Sequence, residues 1–124
     1  KILVNLEDKQ VLLVGAGEMA ELAARHFLNQ GVGKIFITNR THARALELAG
    51  EFQGQAVPFA DFPGELEHMD IILSSPGSSQ LIIHKQQVLE VIRARRNRPM
   101  FFIDIAVPRD IDPAIHEIDN VYVY

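Results

Sequence analysis

The sequence predicts an α/β fold, a doubly wound parallel sheet covered by helices on both faces and formed as a single domain. Three observations carry that prediction. Short runs rich in β-branched residues, "QVLLVG", "KIFIT", "QAVPF", "DIILSS", "MFFIDIA" and "NVYVY", alternate with stretches of helical spacing. The runs are continuously apolar, as strands buried on both faces must be. The chain has 124 residues, 48% of them hydrophobic and 23% charged, which is the size and composition of one globular core.

Taken in order, the first strand "QVLLV" runs into Gly15 and then directly into a helical pattern. In that first helix Ala20, Ala23, Ala24, Phe27 and Leu28 form an inner stripe, Glu21, Arg25 and Asn29 face away, and Gly31 supplies the C-cap. "KIFIT" is the second strand. The second helix starts at Thr41, a favourable N-cap type, with Ala45, Ala49 and Phe52 as its inner row. A third strand at "QAVPF", a short helix after Asp61, a fourth strand at "DIILSS" and a longer helix through Val88, Leu89 and Ile92 follow. "MFFIDIA" and "NVYVY" complete the sheet, and strand, helix, strand order makes each crossover right-handed.

The totals exclude several classes of function. A net charge of −4 argues against holding a nucleic acid by phosphate neutralisation over a broad face. With no cysteine there is no disulfide, thiolate metal site or thiol nucleophile in these residues. No apolar run reaches bilayer length, and "KILVNLEDK" is too short and too charged for a secretory signal, so no membrane partner and a cytoplasmic setting are expected. The chain starts at Lys1 without methionine and stops on "NVYVY", so residues 1–124 read as one domain of a longer, multidomain chain.

Gly15-Ala16-Gly17-Glu18-Met19-Ala20 is G-x-G-x-x-A at the point where a first strand hands over to a first helix, the context that the dinucleotide fingerprint requires of a Rossmann-like fold. Gly15 permits the tight turn, Gly17 lets a pyrophosphate reach the backbone, and Ala20 lets helix and strand pack closely. Unpaired N–H groups and a positive partial charge at the helix start then face the phosphates. A βα turn can also use glycine for geometry alone, and Glu18 sets a carboxylate in the loop, where it must turn toward solvent or substrate.

The nucleotide type is read at the end of the second strand. An NAD site places Asp or Glu about 20 residues past the glycines to bond the ribose 2′-hydroxyl. No carboxylate lies between Glu21 and Glu47; the chain offers Asn39, Arg40 and Thr41 instead. A guanidinium can pair a 2′-phosphate and stack on adenine, so the expected cofactor is NADP(H). The competing reading is a solvated helix start with an ordinary N-cap.

With "VGAGEMAELAARH", "ITNRTHARALELA", "DIILSSPGS" and "FFIDIAVPRDIDP" in that order, the chain closely resembles the NADP-binding domain of the glutamyl-tRNA reductase family over nearly its whole length. The neighbouring shikimate dehydrogenase family shares the G-A-G and N-R-T arrangement but is not expected to carry V-P-R-D-I-D. The resemblance implies an oxidoreductase, in which NADPH reduces tRNA-bound glutamate to glutamate-1-semialdehyde on the route to tetrapyrroles (porphyrins). It also implies a catalytic cysteine in a preceding domain, which attacks the activated ester, and a following helical domain that makes a homodimer. This fragment alone would hold the hydride donor without turning over, and glutamyl-tRNA would be met through the flanking domains.

Carried over by motif, Gly15, Ala16, Gly17, Glu18, Met19 and Ala20 match the pyrophosphate loop, and Asn39, Arg40 and Thr41 match the 2′-phosphate clamp. Ser74, Ser75, Pro76 and Gly77, with Ser78 after them, border the nicotinamide half at the carboxyl edge of the sheet. Pro76 stands where the family commonly has threonine, so this chain offers no hydroxyl there. Ala106 and Val107, with Pro108, can wall one nicotinamide face, while Asp104, Arg109 and Asp110 read as an ion-pair network shaping the turn.

His26, His42, His68, His84 and His116 form no metal-ligand spacing, so no metal site is assigned. The cluster "RARRNR", Arg93 to Arg98, reads as solvated cations complementing a helix C-terminus, with a tRNA contact as the minority reading. Ser74, Ser75, Ser78 and Ser79 lack a nucleophile elbow or a paired histidine. Besides the reductase reading, two alternatives stand: a shikimate dehydrogenase-like NADP domain, and a non-catalytic NADP(H)-sensing module whose parent would lack the upstream cysteine.

Overall fold

The structure, a computed structural model, describes residues 7–15, 18–74, 83–96, 98–104, 115 and 118–123, with residues 18–20, 104, 122 and 123 through their backbone alone. Among the described residues the elements run in the order β1 (Gln10–Val14), α1 (Glu18–Asn29), β2 (Lys34–Thr38), α2 (His42–Phe52), β3 (Gln55–Ala56), α3 (Phe62–Glu65) continued by a 3-10 turn (Leu66–His68), β4 (Ile71–Ser74), α4 (Lys85–Ala94), β5 (Met100–Asp104) and β6 (Val121–Val123). The strand order is β3-β2-β1-β4-β5-β6, and every pair is parallel. The chain therefore moves outward from β1 to β3, returns, and builds the other half from β4. That reversal between β1 and β4 opens a crevice at the carboxyl ends of the central strands.

Alternate side chains of each strand enter opposite layers. Leu12, Val14, Ile72 and Phe102 join Phe62, Leu66, Val88 and Ile92 of α3, the 3-10 turn and α4 in one core. Val11, Leu13, Ile35, Ile37, Ile71, Leu73 and Phe101 join Ala24 of α1 and Ala45, Leu48, Ala49 and Phe52 of α2 in the other. The doubly wound α/β reading is correct, and the continuous apolar runs have the cause inferred for them.

Local details refine the element reading. Gly31, at φ 81°, ends α1 as expected: its N–H bonds Leu28 O at 3.1 Å and the Val32 N–H bonds Phe27 O at 3.2 Å, the paired bonds of a Schellman motif. Leu28 is a correction, because it is 40% exposed and lies off the inner stripe. Leu48, fully buried, belongs to the inner row of α2 along with the three residues named for it. The strand at "QAVPF" pairs only over Gln55 and Ala56, because Pro58 has no N–H to continue the ladder once Val57 N has bonded Ile37 O at 2.8 Å.

The basic cluster also needs correcting. Arg95 is 2% exposed, not solvated. Its guanidinium donates to Glu67 O (3.2 Å), Met69 O (2.8 Å) and Pro99 O (2.7 Å) and pairs with Asp70 Oδ1 at 2.9 Å, while Nε donates to Arg98 O at 3.2 Å. Asp70 Oδ2 accepts from Gln10 N at 2.9 Å. One buried ion pair thus fastens the amino ends of β1, β4 and β5, opposite the crevice. Arg93, Arg96 and Arg98 are exposed.

Candidate nucleotide site

The register puts the ends of four strands at one edge: Val14 pairs with Thr38 and with Ser74, and Ser74 pairs with Asp104. Gly15 leaves β1 there with φ 105°, a backbone state that an L side chain resists, and its N–H bonds Thr38 O at 2.9 Å. The first glycine of the fingerprint is thus a conformational requirement. The α1 backbone starts at Glu18, so the amino end of a 12-residue helix lies three residues beyond that glycine. Ala16 and Gly17 lie outside the described residues, and Glu18, Met19 and Ala20 are described through their backbone in the first turn of α1.

Asn39, Arg40 and Thr41 leave β2 at the same edge. Thr41 is the N-cap of α2, with extended φ −95° and ψ 104°, but its side chain makes no capping bond. Its carbonyl instead accepts from Asn39 Nδ2 at 3.2 Å, which pins the three-residue turn from inside. The Arg40 side chain is exposed, and its Cζ sits 4.9 Å from the centroid of the Phe59 ring. Phe59, in the turn after β3, is a site neighbour that the sequence reading missed; its only local signal is an aromatic directly beyond Pro58. Arg44, one helical turn into α2, pairs with Glu21 of α1 and with Glu47, both at 3.5 Å, and so ties the two helices that flank this corner.

Ser74 ends β4 at the edge and is fully buried. Ser75, Pro76, Gly77, Ala106, Val107, Pro108, Arg109 and Asp110 lie outside the described residues, so the nicotinamide half is an expectation from sequence. Among the described residues the buried Thr38 hydroxyl has no hydrogen-bond partner, while the carbonyl of the same residue accepts from Gly15 N. Among the described residues there is no cluster of His, Asp or Glu able to hold a metal ion, and the four described histidines are exposed. No described helix is long and apolar enough to cross a membrane.

The edge therefore has a positive-φ glycine before a helix amino end where β1 stops, and an exposed guanidinium just past the end of β2. Such an arrangement can receive an extended ligand bearing a diphosphate near the helix and a further anionic group near Arg40.

Comparison with known proteins gives a consistent result. A family model described as Shikimate / quinate 5-dehydrogenase matches residues 1–124. Glutamyl-tRNA reductase of Geobacter metallireducens is 57% identical over 124 residues, which are 100% of this chain and 29% of that protein. The solved glutamyl-tRNA reductase of Methanopyrus kandleri superposes with a TM-score of 0.90 at 39% identity, covering 95% of this chain and 30% of that one. The nucleotide-binding domain of the Thermoplasma volcanium glutamyl-tRNA reductase, 22% identical with a TM-score of 0.70 over 93% of this chain and 74% of that one, shares the fold. The chain thus spans under a third of the length of the full-length reductases it matches.

Proposed function

The chain belongs to the Shikimate / quinate 5-dehydrogenase family, and from that premise we propose that it is the NADP(H)-binding domain, residues 1–124, of a glutamyl-tRNA reductase. The observation that carries the cofactor reading is the conjunction at one sheet edge of Gly15 at φ 105°, the start of α1 and the exposed Arg40. The residues fit the group: backbone amides of the turn from Gly15 to Ala20 hold the pyrophosphate, and Asn39, Arg40 and Thr41 take the 2′-phosphate. Ser74, Ser75, Pro76 and Gly77 with Ala106 and Val107 border the nicotinamide half. When bound, the cofactor supplies hydride. The protein's part is to fix the dinucleotide across the switch point and to choose the phosphorylated adenosine over the plain one.

The full-length protein would reduce tRNA-bound glutamate to glutamate-1-semialdehyde for tetrapyrrole synthesis, as a homodimer in the cytoplasm, meeting glutamyl-tRNA through its other domains. The 57% identity over the whole chain to a named glutamyl-tRNA reductase supports this against a shikimate dehydrogenase activity. Arg95 leaves the basic cluster for the core, which weakens a tRNA contact there. The test is titration of this chain with NADPH and NADH by nicotinamide fluorescence, repeated on Arg40→Ala. NADPH binds more tightly, and the substitution lowers its affinity about ten-fold or more, as loss of a charge-assisted pair worth about 1.5–3 kcal/mol requires. Equal binding of both cofactors by the unmodified chain refutes the clamp. NADP(H) binding in a parent that lacks an upstream cysteine would turn the reading to a sensing module.

A further inference from the structure

We propose that Phe59 is a positioning residue that sets cofactor selectivity, by holding the Arg40 guanidinium over its ring where the 2′-phosphate of the adenosine is received. This rests on the reading of Arg40 as the 2′-phosphate ligand. Arg40 stands two residues beyond the end of β2, so its backbone is fixed at the sheet edge while its long side chain projects into solvent. An arginine side chain loses rotamer freedom when it meets an anion, and a contact that already restricts it lowers that cost. The Arg40 Cζ lies 4.9 Å from the Phe59 centroid, inside the range of a cation–π contact. That contact engages the face of the cation through the ring quadrupole and uses none of its five N–H donors.

The ring itself is fixed from behind. Val57 N bonds Ile37 O at 2.8 Å, tying the segment after β3 to β2, and Asp61 N bonds Pro58 O at 2.9 Å, closing a turn around Phe59. The half-buried Phe59 ring packs at 5.2 Å and 53° on Phe62, which is 3% exposed and belongs to the core under α3 and α4. The order of support runs from core to Phe62, to Phe59, to Arg40, and ends at the anion. Every link except the last is made by residues of this chain.

NADH has a ribose hydroxyl where NADPH has the phosphate, so the charge-assisted bonds of Arg40 to that phosphate, and with them the NADPH to NADH ratio, depend on where Arg40 is held. The experiment measures dissociation constants of this chain for NADPH and NADH in the wild type, Phe59→Leu, Phe59→Tyr and Arg40→Ala, with circular dichroism verifying the fold of each. Phe59→Leu keeps apolar bulk against Phe62 and removes the π face. It is expected to lower the NADPH to NADH affinity ratio two- to five-fold, the fold-change of an exposed cation–π pair. Phe59→Tyr retains the ring and is expected to match the wild-type NADPH to NADH ratio; a ratio reduced in Phe59→Tyr overturns the proposal even if Phe59→Leu does not fold. An unchanged ratio in folded Phe59→Leu, with the ratio lost in Arg40→Ala, overturns the role of Phe59 and leaves the clamp standing. An unchanged ratio in Arg40→Ala removes the clamp and this inference together.

Discussion

Replacing Arg95 by alanine breaks the ion pair that fastens the amino ends of β1, β4 and β5, and its cost follows from what is left behind. The side chain is 1% exposed and its partner Asp70 is 14% exposed, so neither charge is well solvated. Without the guanidinium, Asp70 keeps only its bond from Gln10 N among those described, and the carbonyls of Glu67, Met69 and Pro99 each lose a donor. Removing one member of such a buried pair costs about 3–5 kcal/mol. For a domain of this size that is a fall in Tm of roughly 9–25 °C, at about 3–5 °C per kcal/mol. Asp70→Asn leaves the buried guanidinium without its counter-charge and turns an amide NH2 toward one of the two N–H donors that the carboxylate accepts from, so its cost is similar, about 3–5 kcal/mol. Urea unfolding followed by circular dichroism measures both. The staple lies at the amino edge, about 13 Å along a five-residue strand from the crevice, so NADPH affinity of the folded variants stays at the wild-type value. A loss below about 1 kcal/mol for Arg95→Ala would refute the staple, and a large loss of cofactor affinity with little loss of stability would refute the separation of the two edges.

Two other substitutions test the crevice from its inner side. Thr38→Val removes a buried hydroxyl that has no partner among the described residues and is expected to raise stability by about 1 kcal/mol in thermal unfolding; a fall in Tm would mean that the hydroxyl is paired. Gly15→Ala forces an L side chain to φ 105° and is expected to cost about 1–3 kcal/mol and to weaken NADPH binding, whereas unchanged stability would show that the turn does not require glycine.

The fold was legible because its signals are local and repeated. Continuous apolar runs mark strands covered on both faces, helical spacing marks the crossovers, and Gly31 marks the end of α1 through a φ that glycine adopts without strain. Leu28 misled because helical phase alone does not say where the neighbouring helix and sheet stop covering it. Arg95 misled for the opposite reason: within "RARRNR" it has the pattern of solvated helix-end charge, and its partner Asp70 is 25 residues earlier, brought to it only by the return of the chain from β4 through α4. At the candidate site, the positions of Gly15, Asn39, Arg40 and Thr41 at the sheet edge were readable because a strand end and a helix start impose residue types over a short span. Phe59 was not, since its meeting with Arg40 depends on the pairing of β2 with β3 and on a turn that nothing in "PFAD" specifies as a platform.

The most direct test of the central claim is a crystal structure of this chain with NADP(H). Diphosphate density against the backbone from Gly15 to Ala20, with the adenosine 2′-phosphate bonded by the Arg40 guanidinium, is the predicted result. Cofactor density elsewhere, or a 2′-phosphate that projects away from Arg40 into solvent, would contradict it.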